Sequence, residues 1–414
     1  MKNLPVDSGV AEIQGLYGAF SFPEKLLQKI WLRGDFERAA AVMADGRRVR
    51  ILHPGKWNLL GGPDFQGARL RFADGPEVTG DVEVHLHAGD WDAHGHARDH
   101  AYDRVLLHVV LFPPEARAVT VGAGGRGIPV LALLPLLHHA LEEFAAEEAV
   151  ENLANRAVTR LPDELGTLPA GELAAVLQRH ALARWRQKVH FAGLRVQRLG
   201  WEAACHHAAL EILGYRFNRA PMLRVAGQWP LAAWAGGVIE AERAYAAEGE
   251  GWSLQGVRPA NHPRYRLRQY AAWCRARADW PARLLAFAGG LPQVDPKAGA
   301  REVRRTHHFT ALRARGADAI CAGAVGGSRL DNLFCDGLFP LLSGQTARDL
   351  HGIWMHWFAG DLPPLLTTGL RQLGVFDGRS QPACHGISQG LLGWLIARDA
   401  RRFSLHGWAA NRGP

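Results

Sequence analysis

A chain of 414 residues with 48% hydrophobic side chains can bury a sizeable core and is expected to form two domains. Its formal charge of +8 favours an anionic partner such as nucleic acid, and a solvated basic surface accounts for the same excess. No apolar run is long enough to span a bilayer, so no membrane partner is expected. Five scattered cysteines without a CxxC pair suggest reduced thiols in a cytoplasmic protein.

In chain order, Pro23 to Asp45 reads as a first helix broken at Gly34, with Leu26, Leu27, Ile30 and Trp31 at helical spacing. Arg47 to His53 alternates as a short strand, and a Gly-rich loop to Phe65 carries Trp57 and Asn58. Ala68 to Ala73 alternates again, with Leu70 and Phe72 opposite Arg69 and Arg71, and Asp74-Gly75-Pro76 turns the chain back. In the next strand Val82, Val84 and Leu86 face one way while Asp81, Glu83, His85 and His87 face the other. Trp91 to Asp103 reads as a loop and short helix, with His96, His100 and Asp103 on one face. Arg104 to Phe112 is nearly all apolar apart from His108, as in a buried central strand.

From Leu133 the pattern turns helical. Helices are expected over Leu133 to Arg156, Ala170 to Leu199, Trp201 to Leu213, Val238 to Glu248, Arg264 to Arg277, Ala347 to Phe358 and Gln389 to Arg402. The expected fold is an α/β N-terminal domain, residues 1–131, followed by a mainly α-helical domain, 132–414, with a candidate further division near 290.

The chemistry-bearing residues gather in the second strand and the turn before its partner. Asp64 and Glu83 are hard oxygen ligands suited to Mg²⁺ or Mn²⁺. His85 lies one pleat from Glu83 and can act as a base or as a ligand, and His87 is a further candidate ligand. His94, His96 and His100 with Asp90 and Asp99 offer a second, softer metal site, against which a polar surface helix is the expected reading. His108 is expected to be a hydrogen-bonded core histidine. Trp57, Asn58, Arg69, Arg258, Asn261 and Arg266 are the candidate substrate-binding residues, and a pinned loop or a solvated helix face explains them as well. There is no GxxxxGK[ST], G-x-S-x-G or HExxH motif.

The placement of Pro63-Asp64 before one strand and Glu83-Val84-His85 in the next resembles the PD-(D/E)xK nuclease core, with His85 where that pattern has Lys. The resemblance implies a helix, three strands, a helix and a strand, and a metal-dependent phosphodiesterase acting on DNA or RNA. Asp64 and Glu83 would hold the metal. The alternative is a catalytically inactive, nuclease-like nucleic-acid-binding protein, and a third reading is a hydrolase of small phosphorylated substrates. Over nearly its full length the chain also resembles an uncharacterised bacterial family known as domain of unknown function 2851. The residues carrying that likeness include Trp57-Asn58, Gly62-Pro63-Asp64-Phe65, Gly80 to His85, Asp90-Trp91, His94, His96 and Arg258-Pro259.

Overall fold

An N-terminal hairpin, β1 (Val10–Gly15) and β2 (Gly18–Pro23), leads directly into helix α1 (Glu24–Arg33) in this computed structural model. The structure describes residues 9–16, 18–114, 119–155, 163–215, 217–255, 257–377 and 383–409. Pro23, extended at the N-cap, starts α1, and Glu24 in its first turn suits the positive end of the helix dipole. Gly34 ends it at φ +63°, a left-handed conformation that a residue with a Cβ adopts at a cost. Leu26, Leu27, Ile30 and Trp31 form its buried stripe, as their spacing predicts.

A six-stranded mixed sheet follows. Its strands are β3 (Val49–His53), β4 (Lys56–Trp57), β5 (Phe65–Phe72), β6 (Glu77–His85), β7 (Val105–Val110) and β10 (Val130–Ala132), with β8 (Thr120–Val121) and β9 (Gly127–Ile128) forming a separate ribbon. The order is β10-β7-β6-β5-β3, and β4 also pairs with β5. β3, β5 and β6 run antiparallel, whereas β7 lies parallel to β6 and β10 parallel to β7. A parallel neighbour requires a crossover, and residues 86–104 supply it. Val82, Val84, Leu107 and Val109 face a core shared with Leu26, Leu27, Ile30 and Trp31.

The crossover differs from the sequence reading. It consists of one helical turn, α2 (Asp90–Ala93), and two 3-10 turns, His96–Arg98 and His100–Tyr102. Gly95 at φ +76° breaks the helix, so spacing of four no longer sets which side chains share a face. His100 is exposed on Asp103, while His96 turns inward.

By compactness the chain divides into residues 1–148 and 149–414. The first unit is α/β and the second is helical. Helix α3 (Leu141–Asn155) begins later than expected because Pro135 opens a separate 3-10 turn, Leu134–Leu136. Arg156 lies outside the described residues. In the second unit the helices Ala170–Leu199 and Trp201–Leu213 fall where the periodicity predicts, separated by Gly200 at φ +79°. The helix expected over Ala347 to Phe358 is the shorter His351–His356, because Ala347 is the left-handed cap of the preceding helix, Phe339–Thr346. The last expected helix starts earlier, as His385–Ala409. Among the described residues, no helix is long and apolar enough to cross a membrane. All five cysteines are buried thiols.

Candidate metal centre

A β-bulge builds the site. Between Ala68 and Arg71 the β5 to β6 pairing is regular, with Ala68 opposite Gly80 and Leu70 opposite Val78. Continued unbroken, that register would set Asp64 opposite Val84. Instead it shifts between Phe65 and Ala68, so that Phe65 lies opposite Val82. Asp64 then follows opposite Glu83. The added residue lies at Gln66-Gly67, where Gly67 takes φ +67° and its N–H donates to Asp81 Oδ1 at 3.0 Å. One extra residue reverses the facing of everything before it. Phe65 therefore enters the core, fully buried, while Asp64 meets Glu83.

The two carboxylates are tied reciprocally to the other strand's backbone. Asp64 N–H donates to Glu83 Oε2 at 3.0 Å, and Val84 N–H donates to Asp64 Oδ2 at 3.1 Å. From α1, Gln28 Nε2 donates to Asp64 Oδ1 at 2.8 Å, and Trp57 Nε1 donates to Gln28 Oε1 at 3.1 Å. Burial, then the charges of Glu83 and Glu24, hold the Asp64 carboxyl well above the ordinary carboxylate range. Burial, then Glu83 and Asp90, push Glu24 up to about 7. Its Oε2 is buried without a hydrogen-bond partner. Asp64 and Glu83 thus stand together, and the charge of Glu24 acts on both. Glu24 and Gln28 escaped the sequence reading. Their signal was a polar pair four residues apart in a helix whose other inward positions are apolar.

A histidine cluster adjoins Glu83. β6 and β7 run in register with Glu83 beside His108, so both face the same side. His85 Nε2 stands 3.5 Å from Glu83 Oε1, and His96 Nε2 stands 3.4 Å from the same oxygen. His94 Nδ1 lies 3.1 Å from His85 Nε2. Behind them His85 Nδ1 meets His108 Nε2 at 2.9 Å, and His108 Nδ1 meets Thr120 Oγ1 at 2.7 Å. The His96 ring stacks on Tyr102 with centroids 3.9 Å apart, and Trp91 covers His96 and His108. Burial, then neighbouring imidazoles, lower His85 to about 2 and His108 to about 3. A ring held neutral in this way is a better metal ligand than a base at neutral pH.

The structure brings Asp64, Glu83 and His85 together and adds Glu24, Gln28, His94 and His96. His87 stands apart: it is exposed past the end of β6, with its ring stacked on Phe112 at 4.8 Å. Trp57 stacks on Phe65 and is linked to the site through Gln28. Asn58 closes its own loop, donating to Gly61 O and Pro63 O and accepting from Leu60 N–H. Arg69 is exposed and pairs with Glu77 at 3.4 Å. Its neighbours across the β3 to β5 pairing are basic, with His53 opposite Arg69 and Arg50 opposite Arg71. In the second unit Arg258 is exposed, whereas Arg266 is buried, donating to Asn261 Oδ1 at 2.7 Å and Gln269 Oε1 at 2.8 Å. Burial, then Arg329, lowers Arg266 to about 10.

The family described as "Protein of unknown function (DUF2851)" matches residues 24–246, more than half of the chain and every residue of the cluster above. No curated protein and no solved structure matches the chain.

Proposed function

The chain belongs to the DUF2851 family, and from the site itself we propose metal-dependent hydrolysis of phosphodiester bonds in DNA or RNA, with Asp64 and Glu83 holding Mg²⁺ or Mn²⁺. The observation that carries the reading is the reciprocal pairing of Asp64 and Glu83 across β5 and β6, to which the charge of Glu24 adds repulsion. Such a cluster is costly alone and fits a hard cation. The run of α1, β3, β5, β6 and β7 is compatible with the reading, although short turns stand where a PD-(D/E)xK core has its second helix. When bound, the ion neutralises the phosphoryl charge and activates water.

The protein's own residues supply the positioning. Gln28 and the Val84 N–H fix both Asp64 oxygens, and the Asp64 N–H fixes Glu83. Arg50, Arg69 and Arg71 on the adjoining strands suit backbone phosphates, which position a nucleic acid without reading its sequence. His85, neutral and buried, fits coordination better than proton abstraction.

Labelled single- and double-stranded DNA and RNA, incubated with Mg²⁺ or Mn²⁺, test the reading. Cleavage is expected with wild type and is expected to fall at least about 100-fold in Asp64→Asn and Glu83→Gln, the loss typical of removing a principal electrostatic stabiliser. Salt-sensitive binding without cleavage would favour the inactive nucleic-acid-binding alternative.

A further inference from the structure

We propose that His85, His94, His96 and Glu83 form a second metal site, selective for a borderline ion of the zinc class and structural in role. The inference shares Glu83 with the function proposed above but stands on different observations. One nitrogen from each of the three rings lies within 4.8 Å of the other two. Zinc–nitrogen bonds of about 2.0–2.1 Å make the edge of a ligand tetrahedron about 3.3–3.4 Å. The separations are 3.1 Å for His94 Nδ1 to His85 Nε2, 3.5 Å for His85 Nε2 to Glu83 Oε1, and 3.4 Å for His96 Nε2 to Glu83 Oε1. These three separations match tetrahedral edges, and the three rings form a group whose ligand atoms all lie within 4.8 Å of one another, with Glu83 beside two of them.

Two further features point to an ion. His96 Nε2 is buried and makes no hydrogen bond, although it faces an anionic oxygen. Behind the ligand plane, the His85–His108–Thr120 chain has the form of an outer shell, in which a ligand's second nitrogen is held by a fixed partner that sets its tautomer. Imidazole selects zinc-class ions over Mg²⁺, whereas the Asp64 side of Glu83 offers only oxygen. Glu83 bridges the two sites, with Oε1 toward the rings and Oε2 on the Asp64 amide.

With Glu83 drawn in as the fourth ligand beside the three rings, the tetrahedron is filled by protein, which is the mark of a structural site rather than an open catalytic one. The ion would clamp the crossover, which carries His94 and His96 and is built of short turns, onto β6. His94 lies on the exposed side and gives the ion its way in.

The test is equilibrium titration of the full chain, stripped of metal, with Zn²⁺ and separately with Co²⁺. The expected result is a single tight equivalent of Zn²⁺ that excess Mg²⁺ does not displace, and visible Co²⁺ bands of tetrahedral type. His94→Ala and His96→Ala, shown folded by circular dichroism, should each weaken Zn²⁺ binding beyond the 10–100-fold typical of losing an outer-shell partner. Thr120→Val should weaken it about 10-fold by releasing His108. Asp64→Asn should leave Zn²⁺ binding unchanged while abolishing Mg²⁺-dependent cleavage, so the two proposals fail separately. Wild type that binds no Zn²⁺, or affinity unchanged in both histidine variants, would overturn the inference whether or not the protein cleaves nucleic acid.

Discussion

Burial and the charges of Glu83 and Asp90 make ionised Glu24 costly in the folded, metal-free protein. Its Oε2 is buried with no hydrogen-bond partner, and Glu83 and Asp90 repel it. Glu24→Gln removes the charge and keeps the shape, so it should stabilise the metal-free protein by about 1 kcal/mol. Urea denaturation in chelator at neutral pH measures this, and lower stability in the variant would contradict it. The same change should weaken Mg²⁺ binding, because the repulsion is what the cation relieves. Asp64 and Glu83 were legible as a pair because two acids flanking a turn stand out. Glu24 was not, because an acid in the first turn of a helix has an ordinary explanation in the helix dipole. Asn58 shows the converse: it is placed beside the site by sequence, yet its side chain is spent on its own loop.

The bulge in β5 decides which way Asp64 faces. Gly67 is its hinge, left-handed at φ +67°, with open space where a Cβ would stand. Gly67→Ala therefore meets no clash and should cost only the left-handed backbone penalty, about 1–2 kcal/mol. Thermal unfolding measures the cost, and an unchanged midpoint would mean that the bulge relaxes. Glycine inside an alternating run is a recognised sign of a bulge, and starting the strand at Ala68 passed over it. The crossover hid its content for another reason. Reading residues 91–103 as a loop and short helix grouped His96 with His100, but Gly95 and the 3-10 turns send His96 inward to Tyr102 and leave His100 on Asp103. The alternation of β6 was plain, and its apolar face is the observed core face.

Unit composition was visible as the change from alternating to helical spacing after Leu133, while several helices of the second unit were not. Arg219–Gln228, Trp280–Gly289 and Phe309–Cys321 are short and interrupted by Gly or Pro, and tertiary burial rather than periodicity sustains them. That burial makes the second unit acid-sensitive. His206 is 1% exposed, with Nε2 on Trp229 O at 2.9 Å and Nδ1 on the Tyr270 hydroxyl. Burial, then His207, lowers it to about 4. The unfolded chain takes up its proton near pH 6.5 and the folded one only near 4, so stability is present above 6.5 and lost as pH falls between those values. The slope should approach about 1.4 kcal/mol per pH unit per histidine. Denaturant unfolding at a series of pH values should show it, and His206→Gln should flatten it; parallel wild-type and variant curves would contradict the assignment. The claim on which the functional reading rests is that Asp64 and Glu83 share a cation. Anomalous diffraction from crystals soaked in Mn²⁺ tests it most directly. The account predicts a manganese peak between those two carboxylates that disappears in Asp64→Asn, and a well-ordered pair of carboxylates with no peak between them would contradict it.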